Sequence, residues 1–403
     1  MLPEDMLRFR LIEDVFRNCC HEWGYQEVKT PTLEYLHLFT ATGTLTPSML
    51  GKVYSFLDWD GWSGERVVLR PDGTIPVARL YIDNLSAREI ARLFYVTNIF
   101  AFEGTGRENR ERWQCGAEFF SGAKCATDVE LILLAKDVIR RLGLSHIELQ
   151  LSHAGLVKAL IKELKLSHSE EAKVTSCVLE ADWQALRLAA ESCKMPEVSR
   201  LLSSLLSLKG KTSGFLQNVR TLSQQASQNF KSSLEDFTNI ATLLDSLDCS
   251  YEIDITAIRG FEYYTGACFQ LSADGEKIAG GGRYDNLVPL MNGGNIPACG
   301  FALYVDPTMK LLPLEKKSKS DILVKGEGLS PEIIETCFTL AGSLRDAGHP
   351  TELDFTGREE SNYRWVVRVS GREPSPFVLI DRQMKRQREL ASTAEILKVL
   401  GKR

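Results

Sequence analysis

The 403-residue sequence has no run of about 18 apolar residues, the length a membrane-spanning helix requires. It has no C-x-x-C pair and no His/Cys cluster at metal-ligand spacing. Its ten cysteines are scattered, with Cys19 and Cys20 adjacent, a pattern of reduced, buried small hydrophobes rather than of zinc ligands or a disulfide framework. An excess of positive charge is also missing. With 48 Lys and Arg against 53 Asp and Glu, the formal charge of −5 gives no global field to draw in a polyanion, so nucleic acid is not the default partner. Over Met1 to Arg10, two acidic residues and then two basic ones stand where a secretion signal needs a basic patch and then an apolar run. These absences point to a cytoplasmic protein with no metal and no cofactor. The composition that remains, 44% hydrophobic and 25% charged, suits a globular chain of two or three domains.

Leu7, Leu11, Val15 and Phe16 recur at helical spacing between Pro3 and Trp23, and Gly24 ends the pattern. Short apolar runs follow at Val53 to Phe56, Val67 to Leu69 and Leu93 to Tyr95, which read as strands. Thr127 or Asp128 caps a helix running to Leu142, and Ile147 to Leu151 reads as a strand. From about 153 to 247 the text turns to long helical patterns rich in Leu, Ser, Lys and Glu, an inserted helical module. Strand signals return at Tyr251 to Ile255, Tyr263 to Phe269 and Phe301 to Val305. The polar stretch Glu315 to Ser320 is the best linker, dividing residues 1–315 from 321–403, and the latter alternate strand and helix as a small α/β domain does.

Three constellations stand out. Arg70-Pro-Asp-Gly-Thr74 follows an apolar run and presents a carboxylate and a hydroxyl at a strand end, although an Asp bonding its own backbone in a turn is the plainer reading. In Arg112 to Phe120, Gln114, Gly116 and Glu118 share one strand face, which is either a seat for a ligand with an ammonium group and a ring nitrogen or a solvated polar face. Gly280-Gly-Gly-Arg-Tyr-Asp285 lacks the spacing of a phosphate loop; its glycines can let backbone pass close under a ligand with Tyr284 closing the site.

Taken together and in order, these residues carry a resemblance. Ile258-Arg-Gly-Phe-Glu-Tyr-Tyr-Thr-Gly and Gly281-Gly-Arg-Tyr-Asp-Asn-Leu are similar to signatures of the histidyl-tRNA synthetase family. Leu69-Arg-Pro-Asp-Gly-Thr, Trp113-Gln-Cys-Gly-Ala-Glu and Gly24-Tyr-Gln-Glu-Val-Lys-Thr-Pro resemble further segments of it, and coverage runs to about Leu312. The resemblance implies an α+β fold with a class II aminoacyl-tRNA synthetase-like antiparallel sheet flanked by helices, a homodimer core, and a histidine pocket. By position, Asp72, Thr74, Gln114, Glu118, Arg259, Tyr263, Tyr264 and Tyr284 match the family's histidine-contacting residues, with Asp72 standing where the synthetases usually have Glu.

The departures bear on activity. Where the family has arginines that grip the phosphates of ATP, this chain has Ala101 after Phe100 and Pro307 after Asp306. Removing one such charge-stabilising group costs about 10² to 10³ in rate, so amino-acid activation is not expected. Arg107, Arg110 and Arg112 belong to a loop of mixed charge that reads as solvated. Residues 321–403 carry 13 Lys and Arg against 13 Asp and Glu, no basic excess for tRNA, and resemble a degenerate anticodon-binding domain. The losses fit the family's non-catalytic branch, the regulatory subunits of short-form ATP phosphoribosyltransferase. That branch implies L-histidine as effector, the catalytic subunit as partner in a hetero-octamer, and no role for tRNA. A functional histidyl-tRNA synthetase and a histidine sensor for some other partner, such as a protein kinase, are the competing readings.

Overall fold

The computed structural model describes residues 1–42, 51, 53–59, 64–101, 110–179, 182–191, 206, 209–224, 226–257, 264–313, 322–356, 363–372, 374 and 376–401. They fall into two compact units, Met1–Pro313 and Leu314–Arg403.

The first unit is built on β1 (Gln26–Glu27), β5 (Ala91–Phe100), β6 (Glu111–Phe120), β7 (Ile147–His153), β8 (Glu252–Ile253), β9 (Ala267–Ala273), β10 (Glu276–Arg283) and β11 (Ala298–Tyr304). They form one sheet in the order β1-β5-β6-β11-β10-β9-β7-β8. The six central strands are antiparallel, while the edge pairs β1 with β5 and β7 with β8 are parallel, so the sheet is mixed at its margins. A separate three-stranded sheet comprises β2 (Leu33–Tyr35), β3 (Ser55–Trp59) and β4 (Gly64–Leu69). Helices occupy Ala154–Glu163, His168–Leu179, Trp183–Glu191, Ser213–Leu222 and Gln228–Ser246.

The helix Pro3–Glu22 forms as its spacing predicts, with Phe16 buried and Val15 half-buried as read, but the buried face is turned away from Leu7 and Leu11. Phe9, Ile12, Phe16, Cys19 and Cys20 are buried, whereas Leu7 and Leu11 are 50% and 44% exposed. The sequence carries two apolar stripes on this helix, and periodicity cannot choose between them. Tertiary packing chooses: Phe9 meets Trp113, and Phe16 meets Phe94 and Phe301, each burial being worth about 1.5–3 kcal/mol. The helix Ala126–Arg141 starts one or two residues before the expected cap. Cys125 is its N-cap, and Asp128 lies in the first turn with Oδ2 accepting from the Cys125 N–H at 3.0 Å.

Asp128 has a larger task. Arg283, at the end of β10 and only 1% exposed, donates from Nε and Nη2 to the Asp128 carboxylate at 2.9–3.0 Å, from Nη2 to the Thr127 hydroxyl at 2.6 Å, and from Nη1 to Asp285 at 3.1 Å. This cluster ties the central strand to the helix behind it.

In the second unit, β12 (Ile322–Gly326), β13 (Thr351–Asp354), β14 (Trp365–Val369), β15 (Phe377–Asp381) and β16 (Arg386–Leu390) form a sheet in the order β13-β12-β14-β15-β16. Helices Pro331–Asp346 and Thr393–Leu400 share a core with it that includes Val324, Leu340, Val367, Leu379 and Ile396. β16 escapes sequence reading because Arg386-Gln-Arg-Glu-Leu is exposed over its first four residues and shows no apolar alternation.

Among the described residues no helix is long and apolar enough to cross a membrane, and no cluster of three or more His, Cys, Asp or Glu side chains is disposed to hold a metal. Seven of the nine described cysteines are buried, which suits their reading as small hydrophobes.

Removing one partner of a buried ion pair leaves an uncompensated charge, so Arg283→Met is expected to lower unfolding free energy by about 3–5 kcal/mol. Urea titration of variant and parent measures this. A loss under about 1 kcal/mol would contradict the role assigned to the cluster.

Candidate functional site

Strand register assembles the site. Across β5, β6 and β11, Thr97, Gln114 and Tyr304 form one row, Tyr95, Gly116 and Ala302 the next, and Leu93, Glu118 and Gly300 the third, so all nine share one face. Gln114, Gly116 and Glu118 therefore face inward with the central strands instead of forming a solvated edge: Gln114 is 5% exposed and Glu118 is fully buried.

Glu118 is the hub. The hydroxyl of Tyr95 donates to its Oε1 at 3.2 Å, the hydroxyl of Tyr284 donates to its Oε2, and the Thr74 hydroxyl bonds to it as well. Gln114 Nε2 donates to the Tyr95 oxygen at 3.1 Å. Thr74, Gln114, Glu118 and Tyr284 are thus brought together as the resemblance implies, and Tyr95 joins them as a member that motif reading missed. Its signal was present: Tyr95 lies in an expected strand, and pairing with Gly116 puts it on the Glu118 face. The pairing also explains two glycines. A Cβ at Gly116 would enter the Tyr95 ring, and one at Gly300 would enter the Glu118 carboxylate and lie 2.6 Å from the Tyr284 hydroxyl.

The remaining expected residues divide. Asp72 sits just before the helix Thr74–Asn84, and its Oδ1 accepts the Ile75 N–H at 3.0 Å, so this carboxylate does bond its own backbone while lying near enough to Glu118 to repel its charge. Tyr264 stacks its ring against Gly282, and its carbonyl accepts from Lys158 Nζ at 2.7 Å. The glycine run is thereby covered by a tyrosine over Gly282, while the bare face of Gly281 abuts Phe301. Arg259 and Tyr263 lie outside the described residues.

Desolvation pushes the Glu118 carboxyl up to about 8, against the bonds from Tyr284, Thr74 and Tyr95 that favour its ionised form; the charge of Asp72 adds to the rise. Burial likewise lifts Asp72 to about 6, partly offset by the backbone N–H groups of Ile75 and Thr74. Desolvation and then the Glu118 charge raise the Tyr95 phenol. Two carboxyls close enough to repel, with no described cation bonded to either, make a place where an ammonium or imidazolium group gains most.

The positions matching the family's phosphate-gripping arginines offer no such cations. Ala101 closes the β5–β6 pair, its N–H donating to the Arg110 carbonyl at 3.0 Å. Asp306 accepts the Trp113 N–H at 3.1 Å, and Pro307 stands in the first turn of the helix Val305–Leu311. A cavity of about 860 Å³ at this end is lined by Arg112, Lys277, Tyr304, Asp306 and Pro307 among others, with Lys277 Nζ 5.5 Å from the Tyr304 ring centre.

The Glu118 carboxyl titrates near 8 in the folded protein against an ordinary 4.5, so its neutral form is the one the fold prefers. Its stabilising contribution is full below pH 4.5 and is lost as pH rises through about 8. The unliganded protein is therefore expected to lose thermal stability across that window, and Glu118→Gln to flatten the loss. Melting temperatures recorded from pH 5 to 9 check this, and parallel profiles for parent and variant would refute it.

Comparison with known proteins agrees with this geometry. The histidyl-tRNA synthetase family model matches residues 1–308. The chain is 45% identical to the ATP phosphoribosyltransferase regulatory subunit of Dehalococcoides mccartyi strain 195, over all of this chain and 96% of that one. It is 30% identical to the histidine–tRNA ligase of Methanocaldococcus jannaschii, over 89% of this chain and 85% of that one. Among solved structures it is similar to the ATP phosphoribosyltransferase regulatory subunit/histidyl-tRNA synthetase from Bacillus halodurans, with a TM-score of 0.77, 26% identity, and coverage of 91% of this chain and 95% of that one. The histidyl-tRNA synthetase of Nostoc shares the fold at a TM-score of 0.75 and 19% identity, over 99% of this chain and 97% of that one. With its whole length matched at that level of identity, the chain belongs to the ATP phosphoribosyltransferase regulatory subunits, a family built on the histidyl-tRNA synthetase fold.

Proposed function

We propose that this chain is the histidine-sensing regulatory subunit of a short-form ATP phosphoribosyltransferase in histidine biosynthesis, without aminoacylation activity of its own. The observation that carries the reading is the buried Glu118 hub, with its hydroxyl and amide partners, beside Ala101 and Pro307 where phosphate-gripping arginines would stand. L-Histidine supplies what the recess lacks. Its ammonium group pairs with Glu118 and Asp72, its imidazole bonds within reach of Gln114 and Thr74, and the rings of Tyr263, Tyr264 and Tyr284 enclose it. Arg259 pairs with its carboxylate in a charge-assisted, bidentate bond.

The partner is the catalytic subunit, in a cytoplasmic hetero-octamer of four copies of each chain, and tRNA has no part. The homodimer core within it draws on apolar surface that the folded chain leaves open: Leu7 and Leu11 on the first helix, and Tyr35, Leu57 and Trp59 on the three-stranded sheet, are 44% to 64% exposed. Feedback needs only that histidine bind the inhibited arrangement of the complex better than the active one. By reciprocity, substrates of the catalytic subunit and histidine weaken each other's binding, with a coupling of about 1–3 kcal/mol in such systems.

The purified chain is expected to bind L-histidine and to show no histidine-dependent exchange of pyrophosphate into ATP. Glu118→Ala and Arg259→Ala should each weaken binding by about 2–5 kcal/mol in calorimetry. Exchange at synthetase-like rates, or two pocket variants that bind as tightly as the parent, would overturn the reading.

Titrating a short-form catalytic subunit with this chain should raise its activity to a stoichiometric plateau, which histidine then lowers. A Glu118→Ala chain is expected to assemble with the catalytic subunit, seen by size-exclusion chromatography, and to lose the histidine response. A complex of that variant that stays fully sensitive would place sensing elsewhere.

A further inference from the structure

The C-terminal unit is neutral in sum and strongly polarised in space. Among the described residues, 322–356 carry 2 Lys and Arg against 6 Asp and Glu, while 363–401 carry 8 against 3. Chain order converts this split into geometry, because the acidic stretch supplies β12, β13 and the helix Pro331–Asp346, and the basic stretch supplies β14, β15, β16 and the helix Thr393–Leu400. One side of the five-stranded sheet is therefore acidic and the other basic.

The basic side has a recess. A cavity of about 570 Å³ is lined by Arg364, Trp365, Asp381, Arg386, Arg388 and Lys398, among others. Register shows how it is built: Trp365, Asp381 and Arg386 form one cross-strand row, and Arg388 pairs with Leu379 two residues along on the same face. Lys398 comes from the helix Thr393–Leu400. Four cations face one acid across the recess. Among the described residues, Arg386, Arg388 and Lys398 have no ion pair and no side-chain hydrogen bond, and the side-chain contact of Arg364 is with the indole of Trp365, at 5.2 Å from the ring centre. The acid in the recess, Asp381, is engaged by the N–H groups of Gln383 and Met384, each at 3.0 Å.

We propose that this recess is a binding site for a compact, multiply charged phosphoryl compound, a polyphosphate or an organic phosphate ester. Three guanidinium forks and an ammonium around one cavity match phosphoryl oxygens, each phosphoryl group bringing a charge of about −1.5 to −2. A single carboxylate would leave most of the four cations unanswered. A long nucleic acid suits the unit less well, since residues 321–403 carry no basic excess to hold an extended backbone. The proposal is independent of the histidine pocket, which lies in the other unit.

The test uses the full-length chain with 5-fluorotryptophan incorporated and the Trp365 resonance assigned through Trp365→Phe. Inorganic triphosphate, titrated at about 0.15 M salt to screen diffuse attraction, is expected to shift that resonance to saturation. Arg386→Gln combined with Arg388→Gln should weaken binding by at least about tenfold, since two charge-assisted contacts are lost, with an unchanged melting temperature. Lys398→Gln, on a separate element, provides a second check in the same direction. An unresponsive Trp365 resonance, or variants that bind as the parent does, would overturn the site. So would a single-stranded RNA held at these four cations that triphosphate fails to displace, because the ligand would then be a nucleic-acid backbone.

Discussion

A carboxyl group in the middle of a sheet, out of reach of water, must be held by hydrogen bonds or stay neutral, and Glu118 does both. Its oxygens engage Tyr95, Tyr284 and Thr74, which come from a neighbouring strand, the residue just beyond β10, and the first residue of a helix. Each partner is positioned by a different part of the fold, so the hub constrains them all. Gly116 and Gly300 are bare because ring and carboxylate occupy the space a side chain would need. Leaving Glu118 ionised without a cation costs free energy, so a positive charge placed next to it is favoured.

Behind the face, a second buried charge does the complementary work. Arg283 and Tyr284 are consecutive, and their side chains serve opposite sides of the sheet: the guanidinium anchors into Asp128 and Thr127, and the phenol turns to Glu118. The side chains of the Arg283–Asp128 pair are 1% and 4% exposed, so the tyrosine that follows Arg283 is joined to a buried anchor. The same logic separates the pocket from the region beside it, where Ala101 and Pro307 bring no charge and Asp306 is engaged by a backbone N–H.

Much of the pocket was legible in the primary structure because strand periodicity and short signatures are local. Alternation alone placed Gln114, Gly116 and Glu118 on one face, and the resemblance added Thr74 and Tyr284. Tyr95 was missed because its importance comes from register with β6, which no local pattern states. Asp72 was named both as a ligand group and as a turn residue; the fold uses it as a helix-start acceptor without removing it from the vicinity of Glu118. On the first helix the spacing read Leu7, Leu11, Val15 and Phe16 as the apolar stripe, and packing on Trp113, Phe94 and Phe301 kept Phe16 but buried Phe9 and Ile12 in place of Leu7 and Leu11.

By itself the amino-acid sequence determined the family, the class of fold, and the loss of the two phosphate-binding arginines, since these depend on residue identity and on short-range order along the chain. Tertiary structure alone decided that Tyr95 closes the Glu118 network, that Arg283 pairs with an Asp128 155 residues away, and that a neutral C-terminal unit gathers its cations around one recess. Those outcomes rest on which strands become neighbours and on which charges are left without partners. Pairing across a sheet joins residues distant in the chain, and composition averages over the distances on which electrostatics depends.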